Sequence, residues 1–184
     1  WTSGRVASTP SEGPEKRVLA TVLFTDIVDS TATLERVGDV AWEDLLRLHN
    51  VRLRDDLNTF HGREVKTTGD GFLAVFDSAT NAVRCGAAMS RSAHEIGLPI
   101  RVGIHTGEIE YVGDDVRGVA VHAAARVMSL ASSDEVMLSS TTRDLVEGSG
   151  LDLEDAGTHE LKGLGTPRQV FRLVVRGGAS PLGT

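Results

Sequence analysis

The sequence predicts an α+β fold, a ferredoxin-like βαββαβ sandwich extended by further strands and a helix toward its C-terminal end. Three observations point there. Strand-type and helix-type segments alternate along the 184 residues, the pattern expected of helices packed against one sheet. Two β-type runs flank Gly69-Asp70-Gly71, and Asp-Gly between such runs is a strong hairpin signal. Hydrophobic residues make up 40% of the chain and charged residues 24%. That is enough for one core of ordinary size, and it excludes a disordered acidic segment, a coiled coil or a collagen-like repeat.

Residues 1–16 and 176–184 are rich in Ser, Pro, Gly and Thr and read as a linker and a tail, so the folded domain is expected over 17–175. Val18–Thr25 is a short apolar run of the kind that forms a buried strand. Ser30–His61 places leucines and charges at helical spacing and is interrupted near Gly38, which predicts one or two helices. Glu64–Phe76 is the hairpin, and Ser78 is placed to cap a helix running to about Ile96. Ile100–Ile104 is a strand that continues after a turn toward Tyr111 and Val112. Gly118–Leu130 is an Ala-rich helix and Glu135–Leu138 a short strand, after which Ser139 or Ser140 caps a helix to about Val146. Leu151–Leu161 and Gln169–Val175 are the closing strands, and no internal repeat interrupts the order.

The chain carries 19 Lys and Arg against 26 Asp and Glu, a formal net charge of −7. Nucleic-acid binding needs clustered cations to neutralise phosphates, so this balance argues against it. No apolar run approaches the roughly 18 residues of a membrane span. Cys85 is a single cysteine in a helical, Ala-rich context, expected to be a small core residue in a reducing compartment. The chain begins at Trp1 without a secretory-signal pattern, and we expect a cytoplasmic domain fused to others in a longer protein.

The residues with the most chemistry are Asp26, in Phe24-Thr25-Asp26-Ile27 at the end of the first strand, and Asp70 at the hairpin tip. A ferredoxin-like sheet sets the first strand beside the central hairpin, so these two carboxylates converge although 44 positions separate them. Paired carboxylates are hard-oxygen ligands for Mg²⁺ or Mn²⁺, and magnesium takes only one or two of them plus substrate phosphates. Singly, Asp70 would pass for a turn residue and Asp26 for a strand-end cap. Ile27-Val28-Asp29-Ser30-Thr31 then turns from strand into helix. Amides at such a helix start, with the Ser30 and Thr31 hydroxyls, suit a triphosphate, and ordinary N-capping would use the same residues.

Four separated motifs now agree: Phe24-Thr25-Asp26-Ile27, Lys66-Thr67-Thr68-Gly69-Asp70-Gly71, Arg101-Val102-Gly103-Ile104-His105-Thr106-Gly107 and His122-Ala123-Ala124-Ala125-Arg126. In order and spacing, over roughly residues 17–173, the chain resembles the catalytic domain of class III nucleotidyl cyclases of bacterial type. The resemblance implies a homodimer with active sites at its interface, ATP as substrate, and two divalent cations, Mg²⁺ or Mn²⁺, on Asp26 and Asp70. It implies that Lys66 and Asp115 read the base, with Asp114 as the adjacent competitor for the second position. A Lys donor and an Asp acceptor match adenine N1 and its 6-amino group, whereas guanine presents the reverse polarity. It implies that Arg126 stabilises charge at the α-phosphate, that Lys162 holds the β and γ phosphates, and that His122 stands where the family usually has Asn. The reaction implied is conversion of ATP to 3′,5′-cyclic AMP and pyrophosphate. A guanylyl or relaxed cyclase, and a weakly catalytic nucleotide-binding dimerisation module, are the alternatives. A polymerase-like palm shares the two-carboxylate chemistry but would need a longer chain and a basic groove. His105 is expected to support packing.

Overall fold

The structure is a computed structural model that describes residues 16–161 and 163–175. The expected tail, and all but the last residue of the expected N-terminal linker, lie outside the described residues, as does Lys162. The elements run β1 (Arg17–Ile27), α1 (Ser30–Val37), α2 (Asp39–Thr59), β2 (Arg63–Thr68), β3 (Gly71–Phe76), α3 (Ala79–Glu95), β4 (Ile100–Val112) and β5 (Asp115–Arg117). They continue with α4 (Val119–Ser129), β6 (Val136–Ser139), α5 (Ser140–Leu145), β7 (Leu153–His159) and β8 (Arg168–Leu173).

Among the described residues the strands form one mixed sheet in the order β2-β3-β1-β4-β6-β8-β7, with β5 paired to β4. Its first four members, β2-β3-β1-β4, are antiparallel neighbours, which is the ferredoxin-like arrangement the element order predicts. β6 then adds parallel to β4, and β8 and β7 follow antiparallel. Val22 and Leu23 on β1 are both fully buried, so the central strand is covered on both faces. One face carries the larger core, where Leu23, Phe72, Ile100, Val102 and Ile104 meet α2 and α3. The other carries Val22, Leu73, Ile109, Ala120 and Ala124, packed under α4.

The helices begin and end where local chemistry directs. Gly38, at φ 84°, separates α1 from α2. The Ser78 hydroxyl accepts from the Asn81 amide to start α3, and the Ser139 hydroxyl accepts from Thr142 to start α5. Among the described residues no helix is long and apolar enough to cross a membrane. Cys85 is fully buried on α3, and burial pushes its thiol up to about 12.

One sequence expectation is corrected. Ile100–Val112 is one unbroken strand of 13 residues with no turn inside it. The turn expected between Ile104 and Tyr111 is absent, although glycines normally weaken strands. Here they serve a close approach instead. A Cβ on Gly103 would stand 2.1 Å from the Met128 backbone nitrogen, and one on Gly107 would stand 2.9 Å from the Ala120 Cβ. Alternate β4 residues face α4, and these two positions let Met128 and Ala120 of that helix lie directly on the strand. β5, a three-residue strand absent from the sequence expectation, pairs with the far end of β4 across Glu110↔Arg117 and Val112↔Asp115.

His105 is buried beside this contact and its Nδ1 lies 2.6 Å from the Ser139 hydroxyl. The hydroxyl chain runs on through Thr142 and Thr106 to Thr21, joining β6, α5, β4 and β1. Every member of the chain gains a partner inside the core, which is what buried polar groups require.

Two predictions follow from the packing. Gly103→Ala forces α4 off β4, and denaturant unfolding should show a loss of about 1–3 kcal/mol, the usual range for overpacking; an unchanged midpoint would remove the close-approach argument. The second concerns acid. Burial holds His49 and His105 neutral, with pKa values lowered to about 4 from 6.5. The unfolded chain therefore binds more protons between those values. Stability should be full above about pH 6.5 and fall as pH drops toward 4, by at most about 1.4 kcal/mol per pH unit per histidine, as read from denaturant midpoints along a pH series.

Candidate active site

Register in the sheet assembles the first half of the site. Asp26 on β1 stands opposite Gly71 of β3 on one side and Arg101 of β4 on the other. The Ile27 amide donates to the Asp70 carbonyl at 3.1 Å, which ties the hairpin tip to the end of β1. The Thr25 hydroxyl accepts from the Phe72 amide at 3.2 Å and fixes the strand that follows the tip. The two aspartates that the sequence singled out therefore line one cleft of about 730 Å³, together with Ser30, Thr31 and Arg101.

The α1 side of this cleft is built by Asp29, a non-glycine residue at φ 53° that turns the chain sharply from strand to helix. Asp29 occupies the N-cap position and makes no side-chain capping bond. Ser30 and Thr31 thus enter the first helical turn instead of capping it, and the first-turn amides keep no intrahelical partner. Four carboxylates, Asp26, Asp29, Glu35 and Asp70, line the cleft against the single guanidinium of Arg101. An anionic ligand enters such a cleft only with cations of its own.

Arg101 is the residue that sequence reasoning passed over. Its Nη2 donates to the Asp26 Oδ2 at 2.7 Å with both side chains about 30% exposed. The signal was present, since Arg101 opens the motif Arg101-Val102-Gly103, but only the β1–β4 register reveals that it faces Asp26.

A second set of residues gathers elsewhere. Lys66 of β2 reaches Asp115 of β5 with Nζ to Oδ2 at 3.4 Å. The carboxylate that meets the lysine is that of Asp115. The Val116 amide, at 2.8 Å, and then Lys66 hold the Asp115 carboxyl below its usual range. His122 and Arg126 are exposed one turn apart on α4, with the alanines between them turned inward. The Arg126 Nε donates to the Glu160 carbonyl at 3.4 Å and its Nη1 to the Ser129 hydroxyl at 3.3 Å. None of Lys66, Asp115, His122 and Arg126 lines the Asp26–Asp70 cleft. In one chain the Lys66–Asp115 pair and the two α4 side chains thus stand outside the cleft of Asp26 and Asp70.

Residues 14–174 match the family model described as the adenylate and guanylate cyclase catalytic domain. The chain belongs to this family. A Rhizobium meliloti relative, provisionally named adenylate cyclase 3, is 34% identical over 166 residues, covering 85% of this chain and 28% of the relative. An uncharacterised Mycobacterium bovis protein is 35% identical over 160 residues, covering 83% of this chain and 55% of its own length. The cyclase domain therefore spans about a quarter to a half of these relatives. The crystal structure of the adenylyl cyclase CyaB from P. aeruginosa superposes with a TM-score of 0.80 at 26% identity, covering 87% of this chain and 95% of that one. A guanylate cyclase domain from Catenaria anguillulae, solved in complex with GTP, shares the fold at a TM-score of 0.79 and 21% identity, covering 88% and 99%.

Because Arg126 lies outside the cleft that Asp70 lines, a homodimer that joins the two across its interface has a mixing test. Asp70→Ala and Arg126→Ala should each be inactive alone. Mixed at equal concentration and allowed to exchange, they should recover roughly a quarter of wild-type activity, because half the dimers are mixed and each has one intact site. No recovery on mixing, with exchange verified, would place both half-sites in one chain.

Proposed function

We propose that this domain is an adenylyl cyclase that converts ATP to 3′,5′-cyclic AMP and pyrophosphate at the interface of a homodimer. The observation that carries the reading is the Lys66–Asp115 pair, a donor and an acceptor side by side on the half-site that lacks the cleft aspartates. Adenine offers an acceptor at N1 and a donor at its 6-amino group, so each partner of the pair has a matching edge atom. Guanine would turn a carbonyl toward Asp115 and an N–H toward Lys66, and buried mismatches of this kind discriminate strongly.

In the other half-site, the donor set of Asp26 and Asp70 is hard oxygen, which fits Mg²⁺ or Mn²⁺. Cations held there would neutralise the triphosphate and lower the pKa of the ribose 3′-hydroxyl. The chain's own groups then have distinct tasks. First-turn amides of α1, with Ser30 and Thr31, receive phosphate oxygens. Arg101, already in the cleft, supplies a fixed cation beside them. Arg126 stabilises the charge that builds at the α-phosphate, where an always-charged donor fork is the suitable group. Lys162 is assigned to the β and γ phosphates from the family resemblance. Holding the 3′-oxygen in line with the α-phosphorus is the service of the two half-sites together.

His122 supports a second reading, a weakly catalytic nucleotide-binding module. Imidazole donates a hydrogen bond much as the usual amide does, but with a different shape and a charge that varies with pH. Full-length assignments follow the same logic: a cytoplasmic ATP-consuming domain fused to others.

Steady-state rates with ATP and GTP, measured across protein concentration with Mn²⁺ and with Mg²⁺, test the proposal. ATP should be turned over at least about tenfold faster than GTP, and Lys66→Ala should lower kcat/KM for ATP by about 10–100-fold while narrowing the preference. Faster turnover of GTP would overturn the base assignment, and no turnover of either would favour the binding module.

A further inference from the structure

His49 is the polar anomaly of the core. It lies on α2 in one stripe with Leu53 and Leu57 at i, i+4 and i+8, and it is fully buried. Neither Nδ1 nor Nε2 has a hydrogen-bond partner. A buried imidazole with both nitrogens unsatisfied is destabilising, and an apolar side chain of similar volume would remove the penalty. Packing alone would therefore place leucine here. Burial also keeps the ring neutral, with its pKa lowered to about 4, so it retains one N–H to give.

The position explains why the ring is kept polar. The stripe on α2 follows β3: Leu57 lies near Phe76, at the far end of that strand, and two turns back His49 lies against Phe72 with ring centroids 6.4 Å apart. Phe72 is two residues beyond Asp70, its amide is held by Thr25, and Asp70 is the charged group that bears on His49. The unsatisfied ring thus sits beneath the hairpin tip that carries a cleft carboxylate. We infer that His49 is a positioning residue for Asp70, its unpaired N–H supporting the β2–β3 tip that holds Asp70 in the cleft for a divalent cation. The inference rests on the reading of Asp70 as a cation ligand. Groups behind metal-holding carboxylates typically change metal affinity by about 10–100-fold when removed.

The test compares the wild type with His49→Leu and His49→Gln, the second retaining an N–H. Two quantities are read without turnover: the unfolding temperature free of metal, and Mn²⁺ affinity by calorimetry, with and without a non-reactive ATP analogue. His49→Leu should unfold at the same or a higher temperature yet bind Mn²⁺ about tenfold more weakly, and His49→Gln should recover much of the affinity. If His49→Leu is less stable, the glutamine variant decides, since recovered Mn²⁺ affinity supports a donor role and unrecovered affinity overturns it. Unchanged Mn²⁺ affinity in His49→Leu overturns the inference whatever the stability. If the wild type itself binds no Mn²⁺, the cation reading of Asp70 falls and this inference with it. Equal Mn²⁺ binding by all three proteins removes only the role of His49.

Discussion

The pairing of β1 with β3 on one side and β4 on the other is the constraint on which the rest of the molecule depends. Because both pairings are antiparallel and run to the end of β1, a single row across the sheet contains Gly71, Asp26 and Arg101. Asp70 precedes the first of these and is fastened by its carbonyl to Ile27. A one-residue slip of β1 would turn Asp26 to the opposite face and exchange the buried Val22 and Leu23 between two different cores. Burial on both faces therefore enforces the register, and the register places the carboxylates. Stability and site geometry have the same cause.

A second consequence of the sheet is the separation of the chemistry. α2 and α3 cover one face, and α4 covers the other through the two glycines of β4. The cleft with Asp26 and Asp70 opens at the α1 start, while Lys66 with Asp115 and His122 with Arg126 are presented elsewhere. A rigid sheet cannot fold these halves onto each other. In the proposed homodimer, a second copy would supply the missing half by symmetry. The electrostatics agree with this division. The cleft lining is dominated by carboxylates, and in the proposed reaction a triphosphate would gain entry there by bringing cations with it.

The departures from ordinary packing occur close to this machinery. Asp29 takes a left-handed conformation at the strand-to-helix turn, and His49 leaves two nitrogens unpaired under the hairpin. By contrast His105, equally buried, is joined to a continuous hydroxyl chain far from the cleft. Two buried histidines with pKa values both lowered to about 4 thus have opposite polar surroundings.

Much of this was legible in the sequence because it depends on local patterns. The hairpin followed from Asp-Gly between β-type runs, α3 from Ser78, the break between α1 and α2 from Gly38, and the βαββαβ order from alternation alone. Asp26, Asp70, Ser30 and Thr31 stood out because strand ends and helix starts are where hard-oxygen and anion chemistry is built, and the fold gathers them in one cleft. What the chain order could not express was decided by tertiary contact. A turn was expected after Ile104, where β4 instead runs on and Gly107 leaves the space that α4 fills; β5 is too short to show a period; Arg101 acquires meaning only opposite Asp26. His49 reads as one more polar position on an amphipathic helix until the fold buries it. Local propensity fixes which elements form, but partners, burial and the gathering of Asp26, Asp70 and Arg101 into one cleft arise only when the sheet register brings distant residues together.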